Sequence, residues 1–347
     1  MHFTEIAAPN FDLEKTLNSG QVFHWEKIDG GFCGTIGEMP VFVQQHGDIL
    51  EARFGRTSVR AGLAFPACET PIRLSLRAGS ALPGIAARYF ALDHPLAEIC
   101  RSFPDDEPMK AARDFCRGLR IIRQPRWECL ATFICSSMKQ VAHIRQISHA
   151  LRQRFGEPRK IDKCIAYTFP AAERIAPSPE KALCECALGY RAKNLLATAE
   201  LVSSGQVDLE AWATLSDTEL RAKLCALPGV GAKVANCVML FAYERVRAFP
   251  IDVWIERVLK QYYFPRKRNI TAGQLRHFSQ SYFGDHAGYA QQYLFHYART
   301  TSRKSRVTRD SSTALRSGRN DKKGITRTGS GKSAARRDLY ILSGPSV

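Results

Sequence analysis

The feature that most constrains this fold is a proline–glycine segment between two stretches of helical periodicity. Apolar residues recur three and four positions apart over Ser216–Ala226 and again over Ala232–Ala242, and Pro228-Gly229-Val230-Gly231 separates them. This pattern predicts a helix–hairpin–helix. The glycines let a ligand approach the backbone, and the unpaired N–H groups of the second helix suit a phosphate oxygen. An ordinary turn between packed helices is the alternative.

Two residues beyond the hairpin are candidates for covalent chemistry. Lys233 lies in the first turn of the second helix, where the positive helix N-terminus favours the neutral, nucleophilic amine. Asp252 follows in the apolar segment Phe249-Pro-Ile-Asp-Val-Trp254, at a predicted helix N-cap. A solvated lysine and a purely structural N-cap are the ordinary alternatives, although an N-cap aspartate can also be catalytic.

The chain divides into three predicted regions. Residues 1–105 are β-rich, with short alternating runs between glycine turns over Gly31–Ile36, Met39–Gln44 and Ile49–Phe54. Residues 106–298 show helical periodicity, and the predicted helices besides the two at the hairpin are Met109–Leu119, Pro125–Ser137, Val141–Phe155, Lys181–Leu188, Ala192–Ser203, Val253–Tyr263 and Ala290–Ala298. Residues 299–347 are polar and basic, which predicts a disordered tail. The fold class is therefore α+β, with an antiparallel β domain before an all-α domain.

The charge of the chain points to a polyanionic partner. The formal net charge is +17, yet residues 299–347 alone hold 13 Lys/Arg and 3 Asp/Glu, so the body is only mildly basic. The eleven cysteines show no repeated close pairs, which predicts reduced thiols in an intracellular compartment. We recognise no secretion signal, membrane-length apolar run, metal motif or cofactor motif.

Taken together, the LPGVGAK segment at 227–233 and PIDVW at 250–254 resemble the helix–hairpin–helix DNA glycosylase superfamily. Further segments resemble its 8-oxoguanine DNA glycosylase branch, in the same order and over roughly residues 5–298. They are NSGQVFHW at 18–25, RYFALD at 88–93, GLRIIRQ at 118–124, ECLATFICSS at 128–137, LGYRAK at 188–193 and YAQQYLF at 289–295.

The resemblance implies a TATA-binding-protein-like β domain, two helical lobes and a lesion pocket between them. It also implies base removal followed by strand cleavage, with Lys233 attacking C1′ of the damaged nucleotide and forming a Schiff base that permits β-elimination. Asp252 would stabilise the positive charge that develops on the sugar and orient or deprotonate the lysine. We expect a monomer that binds double-stranded DNA with a damaged base, in whichever compartment holds the DNA.

The resemblance also assigns residues to the flipped base and to the duplex. It places Gly20, Gln21, Cys237, Gln291 and Phe295 in the lesion-base pocket, where Gln291 would bond the Watson–Crick edge and Phe295 and Cys237 would sandwich the ring. For Phe295 and Cys237, core packing is an equal alternative. Residues expected to contact DNA are Tyr190 as a wedge, Arg191 at the widowed base, the hairpin residues Gly229, Val230 and Gly231, and also Met138, Lys139, Gln140, His143 and Trp254.

Several positions depart from the pattern of this branch. Met138-Lys139-Gln140 stands where the branch carries three asparagines, and His143 stands where it carries an arginine. Trp254 and Asn236 replace a histidine and an aspartate. Because a methionine lacks the donor and acceptor of an amide, we expect altered reading of the base opposite the lesion.

Three other functions compete with this interpretation. A monofunctional alkyl-purine glycosylase of the same superfamily uses the aspartate alone, and Lys233 argues against it. A non-catalytic DNA-binding module would bind in a salt-dependent way without covalent chemistry, and an interaction scaffold would leave Lys233 and Asp252 unexplained. An iron–sulfur glycosylase is excluded because no cysteine follows Cys237.

Overall fold

The computed structural model describes residues 3–55, 82–267 and 269–302 of the 347-residue chain. The predicted disordered tail lies outside these residues, apart from 299–302, which are helical. Within the described part, no helix is both long enough and apolar enough to cross a membrane.

The N-terminal part is an antiparallel sheet, as the alternating runs predicted. Its five strands lie in the order β1-β5-β4-β3-β2. They are β1 (Thr4–Ala7), β2 (Glu26–Ile28), β3 (Gly31–Ile36), β4 (Met39–His46) and β5 (Ile49–Phe54). Tight turns join each strand from β2 to β5 to the next one along the chain. Phe32 on β3 pairs with Val43 on β4, and Val43 pairs with Ala52 on β5. One face of the sheet packs on helix α1 (Leu13–Asn18), which Asp12 caps through the N–H of Lys15 at 2.8 Å.

The predicted β-rich region also contains two helices. Helices α2 (Leu82–Tyr89) and α3 (Leu96–Arg101) lie within residues 1–105, and the last strand described in this region ends at Phe54. Both helices pack buried side chains inward, α2 against the sheet core and α3 against the helical core. Their shortness hid the helical period in the sequence.

The rest of the described chain is mainly helical. The helices are α4 (Glu107–Phe115), α5 (Arg126–Cys135), α6 (Val141–Phe155), α7 (Ala172–Ile175), α8 (Glu180–Cys184), α9 (Arg191–Ser203), α10 (Asp217–Cys225), α11 (Ala232–Ala242), α12 (Val253–Val258), α13 (Ala272–Tyr282) and α14 (287–302). A π-helical turn, Leu259–Tyr263, extends α12 over the range that the sequence predicted. Helix α10 begins with a capping box formed by Ser216 and Glu219, in which the Glu219 N–H donates to Ser216 Oγ at 3.3 Å.

A two-stranded hairpin between α6 and α7 was not predicted. Its strands are β6 (Pro158–Ile161) and β7 (Cys164–Tyr167), and its turn places Asp162 at φ 50°. Because the turn contains no glycine or proline, the usual sequence signal for a hairpin is missing.

Candidate active site and DNA interface

The helix–hairpin–helix is present at the predicted residues. Helix α10 ends at Cys225, Gly231 is the N-cap of α11, and Gly229 turns the chain with φ 76°. A Cβ on Gly229 would lie 2.8 Å from Cβ of Asn194 on α9, whereas a Cβ on Gly231 would meet nothing within 4 Å. Gly229 is therefore needed for the turn and its packing, while Gly231 leaves open space in front of the first N–H groups of α11.

The assignment of Val230 to the DNA interface is not supported by its surroundings. Its side chain is buried in the helical core, and its N–H donates to the carbonyl of Leu227 at 3.1 Å. Val230 therefore holds the hairpin onto the core. The N–H groups at Gly231 and beyond, which no side chain caps, can donate hydrogen bonds to a phosphate oxygen.

Lys233 does not extend into solvent like an ordinary surface lysine. Its Nζ donates to Ser136 Oγ at 3.0 Å and lies 5.1 Å from the ring centroid of Phe133. Both partners belong to the α5 end, about one hundred residues earlier in the chain, and Phe133 is itself stacked on Phe241 at 5.5 Å. The Lys233 amine is thus half-buried and lies over the ring of Phe133.

Asp252 is the N-cap of α12, as predicted, and its Oδ1 accepts from the N–H of Ile255 at 2.9 Å. Burial raises the pKa of this carboxyl above its ordinary value. That effect outweighs the hydrogen bond from Ile255 and the positive charge of Lys233, which both lower the pKa. The carboxylate therefore lies within the electrostatic reach of the amine, in an environment that solvates negative charge poorly.

Cys237 lies one turn after Lys233 on α11. Its thiol is buried, and burial raises its pKa to about 11, against the opposing influence of Lys233. Cys129 on α5 is also fully buried, and burial raises its pKa well above the ordinary value. Both sulfurs are therefore neutral thiols at physiological pH, and they give the amine an apolar, polarisable surrounding.

Three of the five residues predicted for the lesion-base pocket can serve a ligand on geometric grounds. Gly20 has φ 89°, and a Cβ there would lie 3.1 Å from a carbon at the edge of the Phe295 ring, so the backbone of this turn lies close to that ring. Gln291 is only 4% exposed, and within the described part of the chain its Oε1 has no hydrogen-bond partner. The neighbouring Gln292 instead donates to the Ser19 carbonyl at 3.3 Å, so of the two amides only Gln291 has a buried side-chain oxygen without a partner among the described residues.

The side chain of Gln21, also predicted for the pocket, forms its hydrogen bonds within the protein. It is fully buried, its Nε2 donates to the Arg120 carbonyl at 2.8 Å, and its Oε1 accepts from the Ile122 N–H at 2.7 Å. Because both ends of the amide bind the 118–124 segment, Gln21 is a structural link between the β domain and the helical core. Both polar atoms of its side-chain amide are therefore engaged within the protein.

Two large apolar side chains project from the same surface. Met138 is 89% exposed and has φ 57°, while Tyr190 is 64% exposed at the start of α9. Arg191 connects them, because its Nε donates to the Ser137 carbonyl at 2.6 Å and its guanidinium lies 4.3 Å from the Tyr190 ring centroid. Arg191 is itself buried, so in this conformation it supports the two projections instead of facing the solvent.

The other residues predicted to contact DNA lie at or near the surface. Gln140 is the exposed N-cap of α6, and His143 is exposed one turn later. Lys139 is partly exposed between them and Met138. Trp254 is partly exposed in the first turn of α12, 5.7 Å from the Arg257 guanidinium.

Ser136 and Phe133 are site residues that sequence reasoning did not single out. Both lie in the ECLATFICSS segment, but nothing in that segment indicates contact with a lysine 97 positions later. The described residues include no cluster of three or more His, Cys, Asp or Glu side chains that could hold a metal ion.

Comparisons with known proteins identify the class that this fold and site define. Residues 4–130 match the family profile of the N-terminal domain of 8-oxoguanine DNA glycosylase. Residues 131–283 match that of the HhH-GPD superfamily of base-excision DNA repair proteins. The boundary between the matches falls within α5, so the two domains share one helical core.

Solved structures and curated relatives agree with these matches. A structure of MBOgg1 with a low-affinity DNA ligand is 30% identical, with TM-score 0.75, and covers 87% of this chain and all of that one. The Clostridium acetobutylicum 8-oxoguanine glycosylase/lyase, in complex with DNA containing cytosine opposite 8-oxoguanine, is 28% identical, with TM-score 0.74 and coverage of 87% and 99%. The Arabidopsis thaliana N-glycosylase/DNA lyase OGG1 is 28% identical over 82% of this chain and 76% of the plant protein.

The chain therefore belongs to the 8-oxoguanine DNA glycosylase branch of the helix–hairpin–helix superfamily. It is a DNA-binding base-excision glycosylase of the glycosylase/lyase class. A 3-methyladenine glycosylase from Archaeoglobus fulgidus, 17% identical with TM-score 0.68, shares the fold alone.

Proposed function

We propose that this enzyme removes an oxidised purine of the 8-oxoguanine type through a Schiff base on Lys233 and then cleaves the strand by β-elimination. The observation that carries the proposal is the position of the Lys233 amine. It is held over Phe133 by Ser136, within the electrostatic reach of Asp252 and beside the Cys237 thiol. A lysine that lay on an exposed helix face would extend its amine into the solvent instead of toward the protein interior.

In the proposed first step, the neutral Lys233 amine forms a bond to C1′ of the damaged nucleotide. The bond from C1′ to the base breaks, and its electron pair leaves with the base, which takes up a proton. Positive charge develops on the sugar as this bond stretches, and the Asp252 carboxylate stabilises that charge. Because Asp252 is poorly solvated, its field is weakly screened at the reacting carbon.

The second step converts the amine adduct into strand cleavage. Loss of a proton from nitrogen, together with ring opening in which O4′ takes a proton, gives an iminium between Lys233 and C1′. The iminium makes the C2′ proton acidic, and its removal expels the 3′ phosphate with the electron pair of the C3′–O bond. The product remains attached to the lysine until water hydrolyses the imine.

The base is recognised by the surface formed by Gly20, Gln291 and Phe295. A flipped purine stacks on the Phe295 ring and meets the unpaired Oε1 of Gln291, which accepts a hydrogen bond from its Watson–Crick edge. Cys237 lies on α11, one turn after the nucleophile Lys233, and this position supports its assignment to the same pocket. The apolar Met138 in place of an amide supports weak discrimination of the opposite base.

Single-turnover base release tests this proposal directly. Four duplexes that carry 8-oxoguanine opposite each of the four bases would be compared with an undamaged duplex. We expect release from all four within about tenfold of one another, because the loss of one bidentate base contact removes about 1–3 kcal/mol of discrimination. A strict requirement for cytosine would contradict the Met138 argument, and no release from any of the four would refute the substrate.

A further inference from the structure

Ser136 Oγ has two hydrogen-bonding partners, and it can only donate to one of them and accept from the other. Its Oγ lies 2.7 Å from the Phe133 carbonyl, which can only accept, so the single hydroxyl hydrogen is committed there. The remaining contact is with Lys233 Nζ at 3.0 Å, and in that contact Oγ must be the acceptor. Ser136 is only 4% exposed, so bulk water does not compete strongly for its lone pairs.

A serine at a helix C-terminus has a simpler explanation, which the same chain illustrates. Ser204 closes α9, and its Oγ donates to the Leu201 carbonyl at 3.3 Å, three residues back, as Ser136 does at α5. Ser204 contacts no lysine among the described residues and is exposed. The two serines thus share the local cap, and only Ser136 adds a bond to the nucleophile.

We propose that Ser136 is a positioning residue for the nucleophile, and that its hydroxyl fixes the direction of the Lys233 lone pair. A neutral amine has two N–H bonds and one lone pair. With one N–H held by Ser136, the lone pair is confined to the directions away from α5. This inference rests on the proposed Lys233 chemistry and deepens it, because it explains how a side chain with four rotatable bonds is kept ready to attack.

Ser136 is the only hydrogen-bond partner of the Lys233 amine among the described residues. Replacing Ser136 therefore removes the contact that limits the directions of the Lys233 lone pair. The catalytic consequence is a slower attack on C1′, because the amine then samples more orientations.

The test is the single-turnover rate of borohydride trapping on an 8-oxoguanine:cytosine duplex, measured at one fixed pH for each full-length variant. For Ser136→Ala we expect a rate about tenfold lower, the effect of losing one hydrogen bond to a charged or reacting group. Ser204→Ala, which removes only a cap bond, should leave the rate unchanged. Ser136→Thr, which keeps the hydroxyl, should restore most of the rate.

The outcomes separate this inference from the function on which it rests. If the wild type forms no adduct, the proposed Lys233 chemistry itself fails. If the wild type is trapped and Ser136→Ala is trapped equally fast, only the positioning role is refuted. If Ser136→Ala is slower and Ser136→Thr, which keeps the hydroxyl, is equally slow, Ser136 has a purely structural part and the inference is also overturned.

Discussion

Replacing each hairpin glycine by alanine separates the folding role of Gly229 from the ligand-facing role of Gly231. Gly229→Ala forces a side chain into φ 76° and brings its Cβ to 2.8 Å from Cβ and Nδ2 of Asn194. The left-handed conformation costs about 1–2 kcal/mol and the overpacking about 1–3 kcal/mol, so we expect a loss of roughly 2–5 kcal/mol. For a chain of this size, about 2 °C per kcal/mol gives a melting temperature roughly 4–10 °C lower.

The matched control is Gly231→Ala. Gly231 has φ −92°, and its Cβ would meet no atom within 4 Å, so only a few tenths of a kcal/mol of N-cap preference is lost. Its melting temperature should stay within about 1–2 °C of the wild type. Its affinity for undamaged duplex should nevertheless fall several-fold, because the methyl group stands before the N–H groups that would bind a phosphate.

Differential scanning fluorimetry and fluorescence anisotropy measure the two quantities. Asn194→Ala combined with Gly229→Ala should recover only part of the stability, since the Asn194 Cβ and the backbone strain both remain. Equal melting temperatures for the two glycine variants would refute the argument that conformation and packing distinguish Gly229. Unchanged DNA affinity in Gly231→Ala would refute the phosphate contact at α11.

Three further predictions concern the site. Asp252→Asn keeps an N-cap residue but should abolish base release. Burial raises the pKa of Asp252 in the folded state, so the wild-type protein loses stability as the pH rises from about 3.9, the unfolded value, through the raised folded value. The variant should therefore melt higher than the wild type at pH 7.5, with a difference that shrinks toward pH 4, and an equal or lower melting temperature at pH 7.5 would contradict this. Gln291→Ala should lower kcat/KM for 8-oxoguanine by about tenfold to a hundredfold while leaving affinity for abasic-site DNA unchanged; equal losses on both substrates would remove Gln291 from base recognition. Met138→Asn should raise the ratio of base release opposite cytosine to release opposite adenine, and an unchanged ratio would mean that discrimination lies elsewhere.

Much of the fold was predictable from the sequence wherever a period and a stop signal coincide. Strands Gly31–Ile36 and Ile49–Phe54 and helices Val141–Phe155 and Ala232–Ala242 have the predicted bounds. Each strand combines a clear polar–apolar alternation, and each helix a clear repeat of apolar residues, with a glycine or another residue of low helix propensity at one boundary. Elements of about six residues, such as α1 and α3, show less than two turns of period and were missed for that reason.

The site was predictable in its residue types and less so in its contacts. Local signals and the resemblance single out Lys233, Asp252 and Gly20, and the positive charge of Lys233 opposes the rise in the pKa of Asp252 that burial causes. Gln21 is adjacent to Gly20 in the sequence, yet its side-chain amide forms hydrogen bonds with residues about one hundred positions away. The Ser136–Lys233 bond spans 97 positions, and no local pattern encodes such a pairing.

Mapping the covalent adduct tests the central claim most directly. The wild-type enzyme would be trapped with borohydride on 8-oxoguanine duplex DNA, digested, and analysed by tandem mass spectrometry, with Lys233→Gln treated in parallel. We predict one modified peptide that carries the deoxyribose remnant on the Lys233 side chain, and no adduct in the variant, which should still bind the duplex. An adduct on another lysine, or trapping that persists in Lys233→Gln, would contradict the assignment of Lys233 as the nucleophile.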